Sequence, residues 1–258
     1  MKIVVFLILS VFITSCYQEE ENSDIYNEYD FNHNNENNTI NSGLTNDYKF
    51  KEGYIKNNDN VNIYYRLFYK EDNNGLIVLS HKEDSSLEEW GILTDIFLEL
   101  NYNVISYDLS GFGKTQISEN NIISYDNMLN DLKLIVNLAE NNDNLYENIV
   151  FIGNGLGANI SLYVSSNYCN RKSSFIIISP NMEIENVSIE KFSKYCENSK
   201  YLFLYSQKSF EDVNEDLYIY NYDNLKTIVD STSNFSGIDL LLNNSTFIKE
   251  IKNLIISK

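Results

Sequence analysis

One run of residues near the middle of the chain joins a strand, a sharp turn and a helix. Residues 148–152 read Asn-Ile-Val-Phe-Ile, an apolar and β-branched run that is typical of a buried strand. Glycines follow at positions 153, 155 and 157, and residues 158–164 then have the composition of a helix. Closely spaced glycines allow tight turns and close approach of the backbone. The run therefore predicts a strand–turn–helix unit, from which α/β domains are built.

Strand-like and helix-like segments alternate along the rest of the chain. Strands are predicted at 61–69, 75–80, 103–108, 148–154, 174–179, 201–205 and 225–230, and helices at 90–100, 125–138, 158–167, 187–196 and 247–256. After a first antiparallel strand, this alternation predicts an α/β fold with a mostly parallel central sheet and helices on both faces. Only residues 180–200 separate two of the strands, which leaves no room there for a large lid domain.

The N-terminus has the features of an export signal. A basic start precedes an apolar run over residues 3–13, which has the length of a signal-peptide core and is too short to span a bilayer. The run ends in Ile13-Thr14-Ser15-Cys16, which resembles a bacterial lipobox, whose cysteine becomes lipidated. We predict a lipoprotein signal peptide over residues 1–15 and lipidation of Cys16, which would hold the exported protein on a bacterial membrane, in the periplasm or at the cell surface. The alternatives are a plain secretory signal with a chance cysteine, or an uncleaved anchor.

An acidic, asparagine-rich segment follows the signal. Residues 17–46 contain no Lys or Arg, and such a segment cannot bury enough apolar surface to offset the entropy of ordering it. We predict a disordered tether over residues 16–46 and one folded domain over residues 47–258. Because the whole chain has a formal net charge of −18, it would repel phosphates, and we predict no nucleic-acid partner.

The cysteines and a glycine-rich turn are the candidates for a cofactor or metal site in this sequence. Cys169 and Cys196 lie near the ends of predicted helices, so they can form a disulfide after export or serve as small apolar residues; we favour two free thiols. No spacing of Cys, His and carboxylates predicts a metal site. Residues 111–115, Gly-Phe-Gly-Lys-Thr, lack the spacing of a phosphate-binding loop, and we predict no cofactor.

Five features, in the expected order, resemble those of the α/β-hydrolase superfamily, in its lidless esterase and serine-peptidase-like branch. They are the strand and His-Gly loop (Leu79-Ser80-His81), an aromatic residue (Trp90), the Asp-x-x-Gly-x-Gly turn (107–113), the nucleophile elbow (153–158) and the His-Gly-x-x-Leu-Leu ending (237–241). The resemblance covers nearly all of residues 50–258. It implies the α/β-hydrolase fold for the predicted domain.

The reaction of this superfamily needs a serine nucleophile, an acid and a histidine, in that chain order. The resemblance places Gly155 at the nucleophile, because Gly153-Asn154-Gly155-Leu156-Gly157 stands where Gly-x-Ser-x-Gly is expected. It places Ser209 at the acid, in the loop after strand 201–205, and Ser236 at the histidine. All three triad positions are therefore predicted to have lost their catalytic side chains. A glycine at the elbow also relieves the strain that a nucleophile's backbone carries.

The histidine count leads to the same prediction without any alignment. His81 is the only histidine of the predicted domain, so no serine–acid–histidine order can be completed after it. Glu211 or Asp212 could replace Ser209 as the acid, but neither would have a base to orient.

The oxyanion side also departs from the superfamily pattern. Leu156 can still offer the backbone N–H that follows the nucleophile. In the loop after strand 75–80, however, Lys82-Glu83-Asp84 replaces the usual glycine-rich sequence. A carboxylate beside the oxyanion hole would oppose an anionic intermediate, although Lys82 can offset that charge.

Three functions remain open. The first, which we favour, is a membrane-anchored pseudo-hydrolase that binds a small molecule or a protein without catalysis. The second is an active serine-type hydrolase, esterase-like or peptidase-like, in which His81 acts with Ser80, Ser110 or Asp108. The third is a surface interaction protein that uses an exposed face. A deep apolar pocket around the three degenerate triad positions would favour the first function, and a filled pocket would favour the third.

Overall fold

The computed structural model describes residues 48–117, 124–140, 145–181, 183–184, 187–188, 196–211, 224–232 and 235–256. The predicted signal peptide, the lipobox with Cys16, and the tether lie outside these ranges, as does Asp212. Their boundaries therefore stay predictions.

The described part of the chain alternates between strands and helices. The strands are β1 (Lys49–Lys56), β2 (Asn62–Tyr69), β3 (Leu76–Ser80), β4 (Asn103–Tyr107), β5 (Asn148–Asn154), β6 (Lys172–Ile178), β7 (Glu183–Ile184), β8 (Val187–Ser188), β9 (Lys200–Ser206) and β10 (Leu225–Asp230). The α-helices are α1 (Gly91–Leu98), α2 (Tyr125–Glu140), α3 (Leu156–Val164), α4 (Gly237–Asn243) and α5 (Ser245–Ile256), with 3₁₀ turns at Leu87–Trp90 and Ser165–Tyr168. Within the described ranges, none of the helices has the length and apolar character that crossing a bilayer requires.

The main sheet has eight strands in the order β1-β2-β4-β3-β5-β6-β9-β10. β1 pairs antiparallel with β2, and β2 antiparallel with β4, whereas all the other pairs in this sheet are parallel. The prediction of a mostly parallel sheet after a first antiparallel segment is confirmed. β1 was missed, because its four charged residues and its glycine give it the composition of an exposed edge strand and not of a buried one.

Helices cover both faces of this sheet, as predicted. Successive side chains of a strand point to opposite faces, so a strand covered on both faces is apolar at nearly every position. In β5, Ile149 and Phe151 pack with α2 and α3, whereas Val150 and Ile152 pack with α1, α4 and α5. The two layers are the hydrophobic cores of the domain. The link from β6 to β9 contains the β7–β8 hairpin.

Two expectations need correction in the region between α3 and β9. Cys169 and Cys196 form a disulfide, with their Cα atoms 5.0 Å apart, and are not free thiols. Both cysteines come shortly before a strand, and because β6 pairs in parallel with β9, the residues before these strands meet at one sheet edge. The helix predicted at 187–196 is wrong at its start, because Val187–Ser188 is the strand β8; residues 189–195 lie outside the described ranges.

Candidate functional site

The elbow after β5 has the sharp geometry that its glycines predicted. Gly155 has φ 53° and ψ −117°, a conformation that residues with a Cβ avoid. Its N–H donates to the Ile178 carbonyl at 3.1 Å, which ties the turn to the neighbouring strand β6. A Cβ at Gly157 would overlap the carbonyl oxygens of Ser80 and His81, so α3 approaches the end of β3 as closely as a glycine allows.

The start of α4 packs directly against this elbow. A Cβ at Gly237 would lie 2.8 Å from Oδ1 of Asn154, the residue that precedes Gly155. The Gly237 N–H donates to Ser179 Oγ at 3.0 Å, just beyond β6. Ser236, the predicted histidine position, therefore lies in an exposed loop next to the elbow. Its side chain makes no capping hydrogen bond to α4.

Ser209, the predicted acid position, follows β9 at the same carboxyl edge of the sheet. Residues 207–211 form a helical turn, and the Ser209 and Ser206 hydroxyls lie 3.0 Å apart. The nearby carboxylate of Glu211 is exposed and accepts a hydrogen bond from Gln207 Nε2 at 2.7 Å. At the predicted acid position, the structure therefore shows a pair of serine hydroxyls.

His81 is buried, and both of its ring nitrogens are engaged. The Leu109 N–H donates to Nε2 at 2.9 Å, so Nε2 is the unprotonated acceptor. Nδ1 then carries the proton and donates it to the Lys82 carbonyl at 2.6 Å. Burial lowers the pKa of His81, because the charged imidazolium is desolvated, although the Lys82 carbonyl and nearby carboxylates partly oppose this. A general base needs an accessible lone pair, and the lone pair on Nε2 is occupied.

The groups considered as partners of His81 are engaged in structural contacts of their own. The Ser80 hydroxyl lies 3.1 Å from that of Tyr107, and the Ser110 hydroxyl donates to Asp131 at 2.5 Å. The Asp108 carboxylate accepts the Leu87 N–H at 2.7 Å and the Lys114 N–H at 2.6 Å. These buried polar groups hold loops together.

The backbone donors at the oxyanion position are occupied by carboxylates of the chain itself. The Leu156 N–H donates to Glu83 Oε2 at 3.0 Å. The Lys82 N–H, in the loop after β3, donates to Glu89 Oε1 at 3.2 Å, and Asn154 Nδ2 donates to the same oxygen at 3.2 Å.

The contacts of these two carboxylates were not predicted. The sequence placed Glu83 near the predicted oxyanion hole but did not indicate which N–H group its carboxylate would accept. Glu89 was not predicted to contribute to the site, because it lies in an ordinary helical segment. Burial raises the pKa of Glu89, an effect that hydrogen bonds from Ser85 and Asn154 partly offset. Among the described residues, no group of three or more His, Cys, Asp or Glu side chains is placed to hold a metal ion.

Solved structures of hydrolases share this architecture. An esterase from Pyrococcus furiosus superposes with a TM-score of 0.64 and 16% identity, over 84% of this chain and 91% of that chain. A predicted CIB-like hydrolase from Thermoplasma acidophilum superposes with a TM-score of 0.60 and 16% identity, over 80% of this chain and 97% of that chain. An esterase from Exiguobacterium antarcticum superposes with a TM-score of 0.58 and 13% identity, over 78% of this chain and 97% of that chain. At these identities the likeness concerns the fold alone, and it confirms the predicted α/β-hydrolase fold.

The sequence itself assigns the family. No curated protein sequence is significantly similar to this chain. Residues 71–227, which include β3 and the loop after it, the elbow and Ser209, match the family described as serine aminopeptidase, S33. That match covers more than half of the chain. The chain therefore belongs to the serine aminopeptidase S33 family of α/β-hydrolases.

Proposed function

We propose that this chain is an exported, lipid-anchored α/β-hydrolase that has lost its catalytic triad and has a non-catalytic, binding or surface role. One observation carries the proposal. Gly155 keeps the positive φ of an elbow residue but has no side chain to attack a substrate. In a serine hydrolase, loss of the nucleophile or of the histidine alone can lower turnover about a million-fold.

The contacts of His81 count against a non-standard active site. Its Nε2 accepts the Leu109 N–H, so the imidazole cannot take a proton from Ser80 or Ser110 without breaking that buried hydrogen bond. The oxyanion donors are also engaged, because Glu83 accepts the Leu156 N–H. An ester or peptide carbonyl would have to displace a carboxylate before it could be polarised.

Within this proposal, the occupied elbow favours a role carried by an exposed face. A Cβ at position 155 would lie 2.6 Å from Glu83 Oε2, so the carboxylate already fills the space beside the former nucleophile. A pocket that retained a small-molecule function would be expected to leave that space open. A surface interaction is therefore the form of non-catalytic function that we favour.

A fluorophosphonate probe tests the loss of catalysis. We expect no covalent labelling of the purified domain, and no turnover of short-chain esters or aminoacyl anilides above background, because His81, the one histidine among the described residues, is hydrogen-bonded to backbone groups and not to a serine. An active esterase of the same fold, treated in parallel, controls for probe quality. Labelling that disappears on mutation of one serine would overturn the proposal. Turnover abolished by His81→Ala in a folded variant would instead establish the alternative site.

The lipobox supports lipid anchoring, and the disulfide supports export. Disulfides persist in oxidising compartments outside the cytoplasm, so the Cys169–Cys196 bridge agrees with export. We expect the full chain, expressed in bacteria, to incorporate labelled palmitate and to partition into detergent, because stable anchoring needs more than one acyl chain. Cys16→Ser should abolish both, whereas Ser15→Ala should keep both. Detergent partitioning that survives Cys16→Ser would refute the anchor at this residue.

A further inference from the structure

The carboxylate of Glu83 lies where a hydrolase of this fold would hold the oxyanion of its substrate. We propose that Glu83 is an internal ligand of the elbow: its carboxylate replaces both the nucleophile side chain and the oxyanion, and closes the site to carbonyl and carboxylate ligands. This inference goes beyond the loss of the triad, because it explains what occupies the site now.

One oxygen of Glu83 makes both of the relevant contacts. Its Oε2 accepts the Leu156 N–H at 3.0 Å, the hydrogen bond that an oxyanion would otherwise receive. The same Oε2 lies 2.6 Å from where a Cβ of residue 155 would be. A serine at position 155 and the carboxylate in its present place therefore exclude each other. The present position of the Glu83 carboxylate therefore depends on the glycine at position 155.

Electrostatics at the start of α3 favours this arrangement. The unpaired N–H groups of a helix N-terminus carry a partial positive charge, and hydrogen bonds from N–H groups to a carboxylate are about twice as strong as neutral ones. A substrate carbonyl is uncharged in its ground state, so it competes poorly with Glu83 for the Leu156 N–H. An incoming carboxylate would in addition be repelled by Glu83.

The second oxyanion donor is satisfied in the same way. Glu89 Oε1 accepts the Lys82 N–H and the Asn154 amide, both at 3.2 Å. A carbonyl that reached the elbow would thus find both backbone donors already bound. Glu83 is half-buried, so its side chain can be removed without opening a cavity in the core, which makes it the residue to test.

A double-mutant cycle tests the mutual exclusion. Gly155→Ala should lower the urea midpoint more in the wild-type background than in the Glu83→Ala background, because only in the former does the new Cβ displace the carboxylate. The backbone strain at position 155 and the contact with Lys82 Cβ are common to both backgrounds and cancel. An equal decrease in both backgrounds would overturn the proposed exclusion.

The Leu156 amide proton reports directly on whether the Glu83 carboxylate occupies the predicted oxyanion hole. In ¹H–¹⁵N spectra we expect Glu83→Ala to move the Leu156 amide proton upfield, and sodium acetate then to shift it back in a saturable way. Acetate at the same concentrations should leave the wild-type Leu156 amide unchanged. Asp84→Asn is the matched control, because it removes a neighbouring exposed charge and asparagine tolerates the positive φ of that residue.

Two outcomes would contradict the internal ligand. One is a Leu156 amide that does not respond to Glu83→Ala, and the other is saturable binding of acetate at Leu156 in the wild type. These results are separable from the test of catalysis. Fluorophosphonate labelling would refute the loss of catalysis without touching the Glu83 contact, whereas an unresponsive Leu156 amide would refute the contact in an inactive protein.

Discussion

Gly157→Ala is expected to destabilise the domain by at least about 3 kcal/mol, a large share of the roughly 5–15 kcal/mol that a folded domain has. The added Cβ would overlap the carbonyl oxygens of Ser80 and His81. Both are backbone atoms at the end of β3, and the Gly157 N–H donates to the second of them at 3.1 Å. Relief therefore requires α3 to move away from the sheet, which would disturb the core on that side.

Urea unfolding followed by circular dichroism measures this effect. Gly53→Ala is the matched control, because a Cβ there would make only an ordinary contact with Tyr65 Oη, at 3.7 Å. We expect the control to change the free energy of unfolding by no more than about 0.5 kcal/mol. If Gly157→Ala changed it as little as Gly53→Ala does, the close approach of α3 to β3 would be wrong.

Asp108→Ala is expected to lower the free energy of unfolding by about 2–6 kcal/mol, because each hydrogen bond to this charged carboxylate contributes up to about 3 kcal/mol and the Leu87 N–H would be left buried without an acceptor. The buried carboxylate accepts the Leu87 N–H through Oδ1 and the Lys114 N–H through Oδ2. It thereby joins the 3₁₀ turn before α1 to the loop after β4. The expected effect is on folding, in contrast to the catalytic role considered for Asp108 beside His81.

The control for this prediction is Asp95→Ala, which removes an exposed carboxylate from α1. We expect it to alter stability by no more than about 0.5 kcal/mol. The free energy of unfolding of Asp108→Asn should lie between those of the two alanine variants, because the amide keeps one acceptor oxygen and loses the other. Equal urea midpoints for Asp108→Ala and Asp95→Ala would show that the two backbone donors are satisfied without this carboxylate.

Both predictions concern contacts that a hydrolase active site would also need. The tight approach at Gly157 and the tied loop at Asp108 still shape the elbow and the oxyanion loop, although Gly155 offers no nucleophile. These contacts also hold the sheet and its helices together, so they are expected to matter for folding whether or not the site is reactive.

Much of the fold was predictable, because its strands are buried on both faces. Each of β3, β4, β5, β6 and β9 appears in the sequence as a mainly apolar run, and turn or helix patterns separate these runs. The edge strand β1 was missed because it has no such run, and the helix predicted at 187–196 was wrong at its start because a short hairpin has little periodicity. The disulfide was missed because its formation depends on the pairing of β6 with β9.

The sequence by itself determined which side chains are missing, since no structure can supply a hydroxyl at Gly155 or a second histidine to the domain. It also predicted the elbow, because closely spaced glycines allow a tight turn and close approach of the backbone. Only the tertiary structure decided what the remaining side chains do. The Glu83–Leu156 contact spans 73 residues, and the contact that engages His81 spans 28. Contacts at such separations depend on which strands lie side by side and in which register, and local sequence patterns do not contain that information.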